Sequence, residues 1–419
     1  MTRSAPPRPP SPARTARDNE PLEREEIEAL VRALIEEARR ETRRRRRRYW
    51  AVAALLASAG LALLVLLQSG GASQPGSSAA SARSGLPAGA MTSKIAFISE
   101  PPVGGYCGTV YVMNPDGSGQ RRLTNGGVPG CEQEGGPAWS PDGRRIALVA
   151  AFPPNAIGAS TSKIVVVKRD GSGQRRLTRS AGEEHSPAWS PDGRQITFIR
   201  SDQRSRALYV VNADGTGRRR LTGNVVGGVF APVWSPDGQR IAFVANTEIY
   251  VVNADGSGQR QLTRNGAQGF NPAWSPDGTR IAFESDWQVW AVNADGSGQR
   301  QLTRKGAHNF NPAWSPDGTR IAFERGRRRS PCSWCPGLWG YDVYVMNADG
   351  SGQQRLTRGA SQPQWSPDGR KIAFVSQRDG NADIYVMNPN GSGQRNLTRT
   401  AGNKESQPVW SPAVQTSAR

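Results

Sequence analysis

The sequence predicts an all-β fold, a seven-bladed β-propeller whose C-terminal strand closes the first blade, preceded by an amphipathic helix and one transmembrane helix. A Trp-Ser-Pro motif recurs seven times, at spacings of 40 to 51 residues. Repeats of this period, made of short strands, are typical of propeller blades. Upstream of the repeats, residues 49–67 form a charge-free apolar run of 19 residues, long enough to cross a bilayer as a helix. The motifs begin at Trp139, Trp189, Trp234, Trp274, Trp314, Trp365 and Trp410.

The segment before the apolar run divides into two parts. Residues 1–19 are rich in Pro and Arg and predict a disordered tail. Residues 20–48 carry apolar side chains at helical spacing among Glu and Arg, which predicts a cytoplasmic amphipathic helix. Two interpretations of that helix stay open: a solvated helix that runs into the membrane, and a docking or dimerising helix for a cytoplasmic partner protein.

The charges around residues 49–67 set the orientation of the predicted transmembrane helix. Six consecutive arginines, 43–48, precede it, and the next charge is Arg83. This asymmetry keeps the N-terminus in the cytoplasm and places the propeller outside it, in the periplasm or at the cell surface. A cleaved signal peptide does not fit, because its n-region would be 48 residues long. Residues 68–93 are rich in Ser, Gly and Ala and predict a flexible linker.

Each repeat is interpreted as four strands. The first ends at the motif Trp, and Pro-Asp-Gly then makes a tight turn. The second strand is of the Ile-Ala-Phe type, as at 240–243, and the third of the Ile-Tyr-Val type, as at 249–253. An Asp-Gly-Ser-Gly turn leads to a short polar fourth strand, as at 260–263.

The two ends of the repeat array complement each other. The first unit, from Lys94, lacks its Trp strand, and the last unit, at Trp410, has only that strand. We therefore expect residues 408–411 to pair beside residues 94–98 and close the ring, which removes exposed sheet edges. The predicted propeller spans residues 94–412, with 413–419 as a tail.

These repeats resemble those of the TolB-like β-propeller family, which contains periplasmic and cell-surface proteins. The six near-intact copies carry the resemblance, and the run Arg-Asp-Gly-Asn-Ala-Asp-Ile-Tyr-Val-Met at 378–387 matches it especially well. It covers residues 94–412 and implies the propeller fold.

Strand direction divides the loops between two faces of the predicted propeller. The turns that join strands one to two and three to four are short and uniform. The other loops vary in length and chemistry, so their face, the variable face, is the better candidate for function. Two interpretations of its rings and acids stay open, a plug of the channel mouth and an aromatic, acidic funnel for a ligand. The candidate residues before the Pro of each blade are Glu132, Glu134, Glu183, Glu184, His185, Phe230, Phe270 and Phe310.

The insertion at residues 324–342 is the longest on the variable face. It carries Arg328, Trp334 and Trp339, side chains of the types that dominate protein contacts, although a lid packed on its own blade is equally open. The four cysteines also fall in variable-face loops. In an oxidising compartment we expect disulfides, with Cys107–Cys131 and Cys332–Cys335 preferred among the three possible pairings.

Composition favours a binding module over an enzyme. There is no Gly-x-Ser-x-Gly motif and there are only two His, so neither a hydrolase triad nor a His-based metal site is predicted, and no cofactor is implied. The net charge is +19, and residues 69–419 hold 40 basic and 26 acidic residues. Such a surface can bind nucleic acid, an anionic lipid or an anionic envelope polymer, and a solvated rim without a partner is the alternative interpretation. The basic-aromatic clusters of single-strand nucleic-acid binders are missing.

The sequence therefore predicts a membrane-anchored extracytoplasmic propeller. It would bind or scaffold a protein, a peptide or an envelope polymer, with a relay to the cytoplasm. The alternative is a lyase or hydrolase acting on a carbohydrate or lactone through acids at the channel mouth.

Overall fold

A computed structural model describes residues 91–101, 108–124, 136–152, 161–179, 182–202, 205–223, 228–264, 269–304, 306–326, 340–400 and 402–415. The predicted tail, amphipathic helix and transmembrane segment (1–19, 20–48 and 49–67) lie outside these ranges, as does most of the predicted linker. Within the ranges, no helix has the length and apolar character needed to cross a membrane.

The described residues form strands throughout. The first twelve, in chain order, are β1 (Met91–Thr92), β2 (Ile95–Glu100), β3 (Thr109–Met113), β4 (Arg121–Arg122), β5 (Ala138–Trp139), β6 (Arg145–Phe152), β7 (Thr161–Lys168), β8 (Arg175–Arg176), β9 (Glu183–Trp189), β10 (Gln195–Ser201), β11 (Arg206–Asn212) and β12 (Arg219–Arg220). The next twelve are β13 (Val229–Trp234), β14 (Arg240–Ala245), β15 (Glu248–Asn253), β16 (Arg260–Gln261), β17 (Phe270–Trp274), β18 (Arg280–Ser285), β19 (Gln288–Asn293), β20 (Arg300–Gln301), β21 (Asn309–Trp314), β22 (Arg320–Gly326), β23 (Tyr341–Asn347) and β24 (Gln354–Arg358). The last six are β25 (Ala360–Trp365), β26 (Ile372–Ser376), β27 (Asp383–Met387), β28 (Arg395–Asn396), β29 (Lys404–Trp410) and β30 (Val414–Gln415).

Seven four-stranded antiparallel sheets confirm the predicted seven-bladed propeller. Blade 1 contains β29, β2, β3 and β4, in that spatial order, and blades 2 to 7 each take four consecutive strands from β5–β8 to β25–β28. The first strand of each blade lies innermost and carries the motif Trp.

The closure of the ring by the C-terminal strand is confirmed. Strand β29 pairs with β2, with Trp410 opposite Ile95 and Lys404 opposite Glu100. The Ser411 amide donates a 2.7 Å hydrogen bond to the Lys94 carbonyl oxygen. A short additional pair, β1 with β30, lies just outside the predicted limits of 94 and 412.

The seven motif tryptophans link neighbouring blades. Each indole nitrogen donates a hydrogen bond of 3.1–3.2 Å to a backbone carbonyl oxygen in the inner strand of the preceding blade. A buried bond of this kind contributes about 1 kcal/mol. The pairs are Trp139–Val409, Trp189–Ala138, Trp234–Ala188, Trp274–Val233, Trp314–Ala273, Trp365–Ala313 and Trp410–Gln364.

Apolar side chains fill the space between adjacent sheets, as the alternation in the middle strands requires. Second-strand rings such as Phe243 are fully buried, and Phe243 stacks on Tyr250 of the third strand at 5.7 Å between centroids. One cluster joins Leu208 of blade 3 to Phe243 of blade 4, and its equivalents recur around the ring. The core therefore lies between the blades, which leaves the inner strands to line a channel.

Buried polar pairs mark three of the junctions between blades. Glu184 of blade 3 lies near Lys163 of blade 2 and attracts its ammonium group. At the junction between blades 5 and 6, Asn309 Nδ2 donates a 3.0 Å hydrogen bond to Gln288 Oε1. At the seam between blades 7 and 1, two acids, Asp383 and Glu405, share a buried site.

Candidate binding site at the channel mouth

The residue before the inner-strand Pro has an unusual backbone conformation. In six blades its φ is 48–54°, in the left-handed region, and the strand register shifts at this point. A bulge beside a Pro, which cannot donate to the ladder, re-aims the local side chain. We name these seven positions the channel ring: Gly136, Ser186, Ala231, Asn271, Asn311, Gln362 and Gln407.

The inner strands of all seven blades enclose a central channel of about 750 Å³, and six of the ring residues line it. Three ring positions, in blades 2 to 4, are small: Gly136, Ser186 and Ala231. The other four, in blades 5, 6, 7 and 1, are amides, and we call them the amide arc: Asn271, Asn311, Gln362 and Gln407. The channel is therefore roomy on one side and lined with hydrogen-bonding groups on the other.

Hydrogen bonds join the members of the amide arc across blades. Asn271 Nδ2 donates to Asn311 Oδ1 at 2.9 Å, and the backbone nitrogen of Gln407 donates to Gln362 Oε1 at 2.6 Å. These contacts fix the side-chain amides of Asn271, Asn311 and Gln362 before any ligand arrives, which lowers the entropy lost on binding.

Two buried carboxylates hold the arc from behind. Glu284 Oε1 accepts from Asn271 Nδ2 at 2.9 Å and from the backbone nitrogen of Asn311 at 2.5 Å. Glu324 Oε1 accepts from Asn311 Nδ2 at 2.5 Å and from the backbone nitrogen of Gln362 at 2.8 Å. Burial raises the pKa of both carboxyls, and the charge of Glu284 adds to the rise at Glu324.

Aromatic side chains border the arc on the variable face. Trp287 stacks on His308 with centroids 4.7 Å apart, and Phe310 meets Trp287 edge-on at 5.7 Å. Tyr341 meets Phe310 edge-on at 5.8 Å. Together with Phe270, which is 37% exposed, these residues form what we call the aromatic rim.

Trp287 occupies a costly backbone position. It is the second residue of the two-residue turn between β18 and β19, with φ of 50° at Asp286 and 61° at Trp287. Turns of this geometry favour Asn-Gly, and a bulky residue at positive φ is a true outlier. The indole is nevertheless 53% exposed. Such a strained residue, held with its ring in solvent, is a reason to look for function.

The rim and the arc form one surface. Phe270 precedes Asn271 and Phe310 precedes Asn311, so ring and amide alternate along the same inner strands. Flat apolar faces next to paired amides suit a ligand that has both apolar surface and polar edges, as peptides and sugars do. In the described ranges, no group of three or more His, Cys, Asp and Glu is placed to hold a metal ion.

A sequence model of the TolB β-propeller domain matches residues 145–331 and 340–418. The chain belongs to the TolB β-propeller family. No curated protein sequence matches it.

Several solved structures are similar to this chain. TolB from Acinetobacter baumannii is 21% identical with a TM-score of 0.47, over 76% of this chain and 82% of that one. An oligogalacturonate lyase from Vibrio parahaemolyticus is 15% identical with a TM-score of 0.52, over 70% and 91%. A protein described as a putative 6-phosphogluconolactonase, from Bacteroides uniformis, is 12% identical with a TM-score of 0.51, over 76% and 99%. At these identities the likeness of the lyase and the lactonase-like protein concerns the fold alone.

In this TolB-family propeller, the three predicted phenylalanines lie beside the channel ring and not in it. Phe270 and Phe310 belong to the aromatic rim. Phe230 is partly buried beneath the guanidinium group of Arg206, which lies 4.8 Å from the ring centroid.

The predicted acids and histidine of blade 3 separate in the structure. Glu183 is exposed, whereas Glu184 is fully buried and accepts a hydrogen bond from the Thr178 hydroxyl group. His185 Nε2 lies 2.9 Å from Ser201 Oγ. Glu184 thus belongs to a junction between blades. The remaining predicted residues, Glu132, Glu134, Arg328, Trp334, Trp339, Cys107, Cys131, Cys332 and Cys335, lie outside the described ranges.

Several residues of the site were not found from the sequence. Glu284 and Glu324 follow Ile-Ala-Phe, where five other blades have an apolar residue, so a comparison of the repeats position by position would have found them. Trp287 stands where the equivalent turn of blade 4 has Thr247, a contrast of the same kind.

Proposed function

We propose that this TolB-family protein is a membrane-anchored, extracytoplasmic binding module whose ligand docks at the channel mouth, on the aromatic rim of blades 5 and 6 and on the adjoining amide arc. The ligand is a protein, a peptide or an envelope polymer. The observation that carries the proposal is Trp287, whose exposed ring rests on His308 in spite of an unfavourable backbone conformation.

Two features of the site support binding. An exposed indole stacked on a second ring presents a rigid apolar face, of the kind that anchors ligands at low entropic loss. The neighbouring amides are already oriented by Glu284 and Glu324. A ligand laid across blades 5 and 6 would meet both.

Site-specific cross-linking tests the proposal. A photoreactive benzoylphenylalanine at Phe270, in the full-length chain in cells, should form an adduct that Trp287→Gly abolishes. The matched control is Thr247→Gly, at the same turn position of blade 4, where φ is also 61°. Gly suits both turns, so both variants should fold, and the control should keep the adduct. An adduct unchanged by Trp287→Gly would refute docking at the rim.

The membrane anchor rests on residues 49–67 and the arginines before them. Deleting 49–67 should move the protein from the membrane fraction to the soluble fraction. Deleting residues 69–87, a linker stretch of equal length, should leave it in the membrane fraction. Membrane retention after the first deletion would contradict a single N-terminal anchor.

Acid catalysis on a carbohydrate or lactone is a second candidate, and one observation favours it. Glu284 and Glu324 have raised pKa values beside the channel, as a proton donor needs. Both, however, are buried and bonded to neighbouring backbone amides, which favours a positioning role. Turnover of an oligogalacturonate that Glu284→Gln and Glu324→Gln abolish would support the enzyme over the binder.

A further inference from the structure

We infer that the cleft between blades 2 and 3, on the outer wall of the propeller, is a binding site for a phosphate group. This site lies apart from the channel mouth. The cleft has a volume of about 320 Å³ and is lined by Arg175, Arg176 and Arg179 of blade 2 and by Arg218 of blade 3.

The repeats supply a comparison within the chain. In each blade the fourth strand lies within a segment of the pattern Gly-x-x-x-Leu-Thr. Only blade 2 has Arg at the second and third x positions and also directly after Thr. Blade 3 alone has Arg218 at the position that is Gln in the other six blades. Blades 2 and 3 are neighbours, so both exceptions meet in one cleft.

Arg218 departs from a contact that recurs in three other blades. In three blades the equivalent Gln bonds through Nε2 to a Leu carbonyl oxygen of the preceding blade, with Gln120 reaching Leu397, Gln353 reaching Leu302 and Gln394 reaching Leu356. Arg218 replaces that link between blades with an exposed guanidinium group. Departures from a local rule tend to fall at functional sites.

Two arginines form a fixed base for the cleft. Arg175 donates through Nη1 and Nη2 to the carbonyl oxygens of Asp214 and Ala213. Arg176 donates through Nε to the Thr178 carbonyl oxygen and lies 4.4 Å from the Phe152 ring centroid. Both guanidinium groups are therefore held in place.

The other two arginines have no partners among the described residues. Neither Arg179 nor Arg218 makes a hydrogen bond or an ion pair within the described part of the chain, and both are exposed. They remain available to an incoming anion.

Charge selects the ligand class. The one acid lining the cleft, Asp214, already accepts hydrogen bonds from the Thr216 amide nitrogen at 2.9 Å and hydroxyl group at 2.6 Å. Four guanidinium groups call for more than one negative charge, and their planar forks match phosphate oxygens. The phosphate group belongs either to a small soluble phosphate compound or to an anionic lipid headgroup.

The test is a titration of the full-length chain, in a neutral detergent, with inorganic pyrophosphate and with two soluble short-chain lipids. One lipid is dihexanoyl phosphatidylglycerol and the other is dihexanoyl phosphatidylcholine. Binding of pyrophosphate alone would assign a free phosphate as the source. Additional binding of the phosphatidylglycerol, but not of the phosphatidylcholine, would assign a lipid headgroup. Either result supports the site. The proposal would be overturned if neither pyrophosphate nor the phosphatidylglycerol bound.

The variant Arg176→Gln/Arg218→Gln removes two charges without removing the local bonds. Gln261 and Gln301, which occupy the position of Arg176 in blades 4 and 5, bond to the same Thr carbonyl oxygen two residues on. The control Arg264→Gln/Arg304→Gln removes two exposed arginines elsewhere. Loss of two charge-assisted contacts should weaken pyrophosphate binding about tenfold or more, against less than about twofold in the control. Equal losses in both variants would show a diffuse charge effect and overturn the proposal.

Discussion

The indole nitrogen of Trp410 donates a 3.1 Å hydrogen bond to the carbonyl oxygen of Gln364, which ties the last long strand of the chain to blade 7. The same strand pairs with β2 in blade 1. The seam of the ring thus depends on residues near the C-terminus.

Truncation after Glu405 should destabilise the whole propeller. It removes most of β29, exposes the edge of β2 and leaves Trp139 without its acceptor, the Val409 carbonyl oxygen. We expect loss of the cooperative thermal transition, followed by circular dichroism. Truncation after Gln415, which keeps β29 and β30, should preserve the transition. A stable, monomeric product of the shorter truncation would contradict the role of closure.

Glu324 should tolerate Gln better than Val. Val375 is the natural residue at this position in blade 7, but in blade 6 a Val would leave Asn311 Nδ2 and the Gln362 amide nitrogen without an acceptor. Each buried donor without an acceptor costs about 1–3 kcal/mol. Glu324→Val should therefore lower the free energy of unfolding by about 2–4 kcal/mol, and Glu324→Gln by less, in urea titrations. Equal losses would mean that the acceptor oxygen has no role.

The seam between blades 7 and 1 should weaken as pH rises. Burial, with Asp383 next to it, raises the pKa of Glu405 to about 7, although Thr400 and Ser99 donate hydrogen bonds to it. A carboxyl whose pKa is higher in the folded state contributes stability that is full below its ordinary pKa of 4.5 and is lost as pH rises through 7.

The variant Glu405→Gln isolates this effect. The wild-type protein should lose on the order of 2 kcal/mol of unfolding free energy between pH 5 and pH 8, and Glu405→Gln should lose clearly less. Urea titrations at several pH values measure the difference. Glu183→Gln, which changes an exposed acid, is the control and should follow the wild type. Identical pH profiles for Glu405→Gln and the wild type would disprove the coupling.

Arg218→Gln alone should stabilise the propeller. The Gln restores a bond to the Leu177 carbonyl oxygen of the kind that Gln120, Gln353 and Gln394 make in their blades. We expect a gain of about 0.5–1 kcal/mol in the free energy of unfolding. Arg264→Gln, at a position where no blade makes that bond, should change it little. A loss of stability in Arg218→Gln would mean that Arg218 itself supports the blade junction.

The repeat made the fold predictable. The motif tryptophans predicted the number of blades. The incomplete units at Lys94 and Trp410 predicted the closure of the ring, because both features are short motifs that can be recognised in the sequence. The candidate site was predicted only in part. Two of the candidates named from their position before Pro, Phe270 and Phe310, lie in the aromatic rim beside the channel ring.

The rest of the site depends on contacts between blades. Glu284 looks like an unfavourable residue in a buried strand until the Asn311 amide of the next blade is seen to donate to it. Trp287 and His308 are 21 residues apart and stack only because adjacent blades bring them together. The same holds for Arg176 and Arg218 in the outer cleft.

The tryptophan links also bear on the order in which the protein can mature. Each motif Trp from 189 onward bonds back to a blade that was synthesised before it, so blades can be added one by one as the chain emerges. Trp139 is the exception, since its acceptor, Val409, is made 270 residues later. The growing propeller therefore keeps one unpaired sheet edge until translation is almost finished. During this interval it depends most on chaperones or export factors to prevent aggregation.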